Sequence, residues 1–279
     1  MVDDLGYAQF QKTVQRLIGV DLASYRQGQM KRRLDALVAR VGAKGFGEYA
    51  KMLERDPARL QEFRDYFTIN VTEFFRDPDR FKFLETKVLP ELLAKRTPLK
   101  IWSAACSIGA EPYSVATLLK EQAPTLPHKI IATDVDLTIV DRAKRADKYV
   151  QAELKNIPQA RLDKAFIKAA DGTYTVKPEV RQLVDVKIHN LLTAPPAQGF
   201  DLILCRNVVI YFTDDAKATL YDHLVGALRP GGILFVGGTE MVASAHQLGL
   251  NSIGPSFYRK EEVSALGSRP RPRLAAGMR

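Results

Sequence analysis

The 279 residues, 46% hydrophobic and 26% charged with a net charge of +9, have a globular composition that excludes a disordered, collagenous or coiled-coil chain and a length suited to two domains. No apolar run approaches the roughly 18 residues of a membrane helix, and the opening MVDDLGYAQFQK lacks the basic and apolar regions of a signal peptide, so a cytoplasmic protein without membrane insertion is expected. The charge is uneven: residues 264–279 hold four arginines and no acid, and residues 22–55 hold eight Lys/Arg against three Asp/Glu.

The first hundred residues read as helices. Tyr7, Phe10, Val14, Leu17 and Ile18 recur at helical spacing, as do Met30, Leu34, Leu37, Val38 and Val41 before Gly42. Phe46, Tyr49 and Leu53 mark a third helix. Asp56-Pro57 and Asp77-Pro78 each read as a cap followed by proline at the first helical position. Leu60, Phe63 and Phe67 follow the first of these, and Phe81, Leu84 and Val88 the second.

From residue 99 short apolar or alternating runs take over: LKIWSAA, HKIIATD, VDVKIH, FDLILCRN and GGILFVGG, with helical patterns over 111–122, 136–147 and 214–229 between most of them. Such alternation predicts an α/β unit with a mostly parallel sheet covered on both faces. Residues 172–188 read as consecutive strands, an antiparallel β-subdomain at about 170–188, and SFYRK at 256–260 reads as an antiparallel edge strand. The expected division is a helical domain over 1–70, a linker and connecting helix over 71–98, an α/β domain over 99–263 and a basic tail over 264–279, whose Pro/Arg/Gly composition predicts disorder.

Cys106 and Cys205 each lie in an apolar stretch and read as buried, reduced thiols. The four histidines are scattered singly, which gives no metal spacing. Residues 101–112 (IWSAACSIGAEP) form a strand, a small-residue loop and a helix start, where backbone N–H groups can approach a ligand. Alone, this loop reads equally as a tight turn. Asp134 ends the next strand, 25 residues beyond Gly109. An acid at that place in a doubly wound sheet bonds ribose hydroxyls, so loop and acid together point to a nucleoside-bearing ligand, and a carboxylate disfavours the extra phosphate of NADP. Asp136 reads as a helix cap. Residues 205–212 (CRNVVIYF) set Arg206, Asn207 and Tyr211 past the end of a later strand, where open α/β sheets bind ligands; Asn207 reads also as a turn cap and Tyr211 as core. In the linker, Asn70, Thr72 and Arg76 alternate with apolar residues, which suits either a lid over a pocket or a plain connection.

The segments Phe67–Arg76 (FTINVTEFFR), Trp102–Ser114 (WSAACSIGAEPYS), Ala132–Asp136 (ATDVD) and Cys205–Phe212 (CRNVVIYF) resemble, in order and spacing, the successive motifs of the chemotaxis receptor glutamate methyltransferases, the CheR family, and the resemblance spans about residues 5–262. It implies a helical N-terminal domain, a Rossmann-like methyltransferase domain using S-adenosylmethionine and yielding S-adenosylhomocysteine, and a small antiparallel subdomain. Carried over by motif, Asn70, Thr72 and Arg76 contact the cofactor from the linker. Ala104 and Gly109 belong to its loop, Glu111 and Asp134 bind its methionine or ribose portion, and Asn190 and Leu191 flank the adenine. Arg206 and Asn207 line the site, Tyr211 stands near the transferred methyl group, and Arg76 guides the substrate carboxylate. Ala110 stands where the family usually has a second acid. Residues 168–174 are short for a hairpin that docks a receptor's C-terminal pentapeptide, which implies the pentapeptide-independent type.

A glutamate is ionised at neutral pH, its reference pKa being about 4.3, so methyl transfer to it needs orientation and desolvation and no general base. The expected partners are cytoplasmic helices of chemotaxis receptors, met by a stripe of Arg26, Arg33 and Arg40 spaced seven apart; a monomer is expected. A nucleic-acid methyltransferase is the reading prompted by the charge. It lacks support, because no Asn/Asp-Pro-Pro-aromatic tetrapeptide follows the fourth strand and Cys205 follows Leu204 where a cytosine-C5 enzyme usually has proline. A non-catalytic sensor of S-adenosylmethionine or a nucleotide is a third reading.

Overall fold

A computed structural model describes residues 4–67, 72–95, 97–243 and 245–262; the expectations placed on Asn70 and on the tail 264–279 lie outside them. Four helices open the chain: α1 (Asp4–Ile18), α2 (Gln27–Arg40), α3 (Phe46–Arg55) and α4 (Pro57–Phe67). The apolar stripes read from the sequence meet in one core, where Phe10 lies 5.2 Å from Phe46, 5.9 Å from Tyr49 and 5.8 Å from Phe63, ring centre to ring centre. Asp56 caps α4 as read, accepting from Ala58 N at 2.9 Å.

The second Asp-Pro behaves differently. Asp77 is left-handed (φ 60°, ψ 71°) and its side chain makes no cap on α5 (Pro78–Phe83), which runs through a π turn (Leu84–Val88) into α6 (Leu89–Leu93).

The remaining strands are β1 (Lys100–Ala104), β2 (Lys129–Asp134), β3 (Phe166–Lys168), β4 (Tyr174–Val176), β5 (Val184–Ile188), β6 (Phe200–Cys205), β7 (Leu228–Val236), β8 (Leu250–Gly254) and β9 (Phe257–Lys260). Between them run α7 (Ala110–Gln122), α8 (Leu137–Arg145), α9 (Gln159–Ala165), α10 (Pro178–Arg181) and α11 (Asp214–Ala227). Seven strands form one sheet in the order β5-β2-β1-β6-β7-β9-β8. Pairing is parallel from β5 to β7, and β9 is antiparallel to both neighbours. Period-two alternation distributes the core: Leu202, Leu204, Ile233 and Phe235 pack with α7 on one face, Ile203, Cys205, Leu234 and Val236 with α11 on the other.

Two expectations are corrected. SFYRK is antiparallel but interior, and the edge is β8, whose burial falls on Leu250 alone (the other four residues are half-buried or exposed). An edge strand with one buried residue has no alternation to read. The antiparallel subdomain is the β3–β4 hairpin over 166–176, and does not extend to 188. Pro178 opens α10, and β5 then pairs in parallel with β2 in the main sheet. Among the described residues no helix is long and apolar enough to cross a membrane.

Candidate cofactor and active site

Everything chemically notable gathers beyond the carboxyl ends of β1, β2 and β6. After β1 the chain turns through three left-handed residues, Ala105 (φ 62°), Ser107 (φ 49°) and Gly109 (φ 88°), before α7 begins. Gly109 is obligatory: beyond its φ, a Cβ there would stand 2.8 Å from the Tyr113 ring. The turn is held by Cys106 N–H on Thr133 O (2.9 Å) and Ser107 N–H on Asp134 Oδ2 (2.9 Å). Asp134 Oδ1 also accepts from Asp136 N (3.2 Å), and Asp136 caps α8 through Thr138 N (2.9 Å), as read. Burial raises the Asp134 pKa against the pull of these donors.

Glu111, in the first turn of α7, accepts from Ser103 Oγ (2.7 Å) and from Arg206 Nη1 (3.2 Å). Burial pushes its pKa up while Arg206 opposes the shift. Arg206 has a side chain only 2% exposed, and a buried guanidinium persists only where it is paired and hydrogen-bonded. Its Nη2 reaches Asp77 Oδ2 and Arg76 O, both at 2.8 Å, and its charge sits 4.5 Å from the Phe235 ring centre. This explains the missing cap: the Asp77 carboxylate bonds the end of β6 instead of its own helix. One cation thus joins β6, α7 and the linker.

The loop after β6 holds Asn207 in the left-handed region (φ 58°) and leads to a 3₁₀ turn, Val209–Tyr211. Glu240, buried at 6% exposure, receives the N–H groups of Asn207, Val209 and Gly237. The helical segment closes on this loop: Arg26 N–H bonds Tyr211 O, Thr213 N–H bonds Ser24 O (both 2.9 Å), and the Tyr25 and Phe212 rings lie 5.0 Å apart.

These elements surround a cleft beyond the carboxyl ends of the strands, the place where doubly wound sheets bind nucleoside-bearing ligands. Thr72, Arg76, Glu111, Asp134, Asn190, Leu191, Arg206, Asn207 and Tyr211 line it, as does Arg33. Ala104 and Gly109 do not; Ala104 is buried in the sheet core, and the wall is formed by Ala105, Cys106 and Ser107. Arg26 lies on an adjoining groove that Met30, Arg33 and Tyr211 share with the cleft. Arg40 is farther off, bonded to Glu62 at 2.9 Å. Both cysteines are buried free thiols, and burial pushes their pKa values well up, which leaves them unreactive.

Sequence reasoning missed Tyr25, Phe67, Val135 and His189 on the cleft wall, and Glu240 behind it. Phe67 reads as helix core, and only the cleft geometry separates it from the rest of that core. His189 follows β5 with its N–H on Asp134 O (2.9 Å) and its Nε2 buried without a hydrogen-bond partner among the described residues. Burial, then His223, lowers its pKa, so it stands neutral. Asn190 Oδ1 accepts from Leu192 N and its Nδ2 donates to Gly19 O, both at 3.0 Å. A strand-end carboxylate able to accept hydroxyls, beside apolar surfaces of Val135, Leu191 and Tyr25 able to cover a planar base, fits a nucleoside with a charged tail.

Comparison with known proteins agrees with this geometry. The family described as "CheR methyltransferase, SAM binding domain" matches residues 70–254, and "CheR methyltransferase, all-alpha domain" matches residues 5–68. The chain is 40% identical to a chemotaxis protein methyltransferase of Listeria monocytogenes over 263 residues, covering 93% of this chain and all of that protein. It is 34% identical to chemotaxis protein methyltransferase 1 of Pseudomonas aeruginosa, covering 83% of this chain and 88% of that one. Among solved structures it is similar to the N-methyltransferase NodS of Bradyrhizobium japonicum in complex with S-adenosylhomocysteine (TM-score 0.37, 16% identity, 67% of this chain and 91% of that one). A doubly wound sheet, a strand-end acid over a left-handed turn, and a helical segment that closes the cleft therefore belong to a S-adenosylmethionine-dependent methyltransferase, and the chain is a member of the CheR family.

Proposed function

We propose that this protein methylates the side-chain carboxylates of glutamates on cytoplasmic helices of chemotaxis receptors. The observation that carries the reading is that Arg76 of the linker and Tyr211 of the β6 loop face the same cleft as Asp134 and Glu111. Cofactor and carboxylate can then meet in one enclosed place.

Asp134 would accept the ribose hydroxyls, Glu111 and Arg206 would hold the methionine end, and Asn190 and Leu191 would bound the adenine. Thr72 and Arg76 would cover the cofactor from the linker, a role the resemblance extends to Asn70, while Ala104 and Gly109 act indirectly by shaping the loop. The chemistry that S-adenosylmethionine supplies is an electrophilic methyl group on a sulfonium. The protein's part is to hold the glutamate oxygen in line behind that methyl and to exclude water, since opposite charges that cancel along the reaction gain from a dry site. Arg76 guides the carboxylate into the cleft, and Tyr211 shapes the space around the methyl group. Tight pairing of Arg76 with the substrate would stabilise the ground state and slow attack. No proton has to move, because the glutamate arrives ionised.

The groove of Arg26, Arg32, Arg33 and Tyr66 that opens beside Tyr211 supports an acidic helix as the substrate. The helical segment over 1–70 is accordingly the receptor-recognition domain, and the tight β3–β4 turn, closed by Ala169 N–H on Thr173 O at 2.8 Å, supports recognition without a pentapeptide. Incubating the protein with methyl-labelled S-adenosylmethionine and cytoplasmic receptor fragments should give label that alkali releases as methanol. Absence of base-labile label on the fragments would refute the proposal.

A further inference from the structure

Resting on that reading, we infer that Glu240 is a positioning residue for methyl transfer: its buried carboxylate sets the turn that carries Tyr211. Glu240 does not line the cleft. Its Oε2 accepts from Gly237 N (2.7 Å) and Asn207 N (2.9 Å), and its Oε1 from Val209 N (3.1 Å). Its own N–H returns to Gly237 O at 3.0 Å. The loops after β6 and β7 are thereby tied to one side chain.

Those three donors belong to residues that no helix or sheet ladder satisfies. Asn207 is left-handed and Val208 lies outside the helical region (φ −122°, ψ −33°), so their stretch of backbone depends on side chains for its hydrogen bonds. A carboxylate presents acceptors on both oxygens, whereas an amide would turn an NH₂ toward one of the N–H groups. The site is also shaped for the carboxylate: a Cβ on Gly237 would stand 2.6 Å from Glu240 Oε2 and 3.0 Å from Asn207 N. Tyr211 follows two residues after Val209, the last residue held. A displaced turn would move the phenol, and with it Asn207 on the cleft wall, and small misplacements near a reacting group cost large factors in rate.

The test compares wild type, Glu240→Gln, Gly237→Ala, Tyr211→Phe and the Glu240→Gln/Tyr211→Phe double variant. Melting temperature, S-adenosylhomocysteine affinity by calorimetry, and kcat and KM on receptor fragments are measured for each. Glu240→Gln and Gly237→Ala should fold, lose roughly 10- to 100-fold in kcat and keep the receptor KM within about twofold. In the Tyr211→Phe background Glu240→Gln should add less than about a further twofold, because residues acting through one another are not additive. Folded variants with wild-type kcat, or a full multiplicative loss in the double variant, would overturn the inference. Loss of folding in both Glu240→Gln and Gly237→Ala would overturn it too, marking a purely structural role. An inert wild type would instead count against the proposed function, and so separates the two failures.

Discussion

At the scale of single residues the site is organised by buried charge. Asp134 and Glu111 are carboxyls whose pKa values burial raises above the ordinary 3.8 and 4.5. In the free protein such groups favour the fold most when protonated, below their unfolded values, and lose that contribution as pH rises through the folded ones. A ligand whose hydroxyls donate to ionised Asp134 reverses the preference. Its affinity should therefore fall as pH drops toward the raised pKa, and binding there should release protons. Asp134→Asn should weaken S-adenosylhomocysteine by roughly 1–3 kcal/mol, the cost of losing a charged hydrogen-bond partner, and flatten that part of the pH profile. Calorimetry in buffers of different ionisation enthalpy checks both effects; unchanged affinity would remove Asp134 from the ribose site.

Why some of these residues were legible and others not follows from the range of their partners. Asp136 acts within two or three residues of its own position, and Asp134 is marked by its place at a strand end even though it also holds Ser107 across 27 positions, so local pattern is enough to find both. Asp77 bonds Arg206 across 129 positions and Glu240 bonds Asn207 across 33. For Asp77 the local cap signal was present and lost to a buried cation that needed a counter-charge.

At the scale of elements, parallel strands with four or five buried residues, such as β1 and β6, were plain in the sequence. The edge β8 was not, because what defines it is its pairing with β9. α2 shows a subtler difference. In the sequence Arg26, Arg33 and Arg40 make a stripe that suits a partner, yet in the structure Arg33 bonds Tyr66 O (2.5 Å) and Arg40 bonds Glu62 (2.9 Å), both on α4. Arg33 also lines the cofactor cleft, so reversing it would mix two effects. Arg32 lines the groove and bonds back to its own helix at Gly28 O (3.0 Å). Arg32→Glu with Arg40→Glu is the cleaner variant. Exposed pairs such as Arg40–Glu62 contribute about 0–1 kcal/mol, so folding should survive. The receptor KM should rise about 3- to 10-fold at low salt and converge on wild type as salt is added, since exposed charges are screened beyond about 8 Å at physiological ionic strength. Normal methylation at low salt would make α2 scaffold only.

At the scale of the whole molecule, the cofactor cleft belongs to both halves of the chain. Tyr25, Met30, Arg33 and Phe67 of the helical segment close what the sheet opens; two main-chain hydrogen bonds of the 24–26 stretch, Arg26 N–H on Tyr211 O and Thr213 N–H on Ser24 O, the Tyr25–Phe212 ring contact and the exposed Arg26–Asp214 ion pair at 3.9 Å tie that stretch to the segment after β6. A ligand touching both halves must stabilise their contact, by about 2.7 kcal/mol at a hundredfold excess over Kd if it binds the closed form alone. Amide exchange reads this directly. S-adenosylhomocysteine should slow exchange at Arg26 and Thr213, in step with Ser107 on the sheet side. Tyr25→Ala should abolish the slowing at Arg26 and Thr213 while leaving that at Ser107. If ligand protects Ser107 and leaves the bridging amides of the wild type unchanged, the helical segment contributes no binding energy to the cofactor, and occupancy of the cleft is not transmitted to α2.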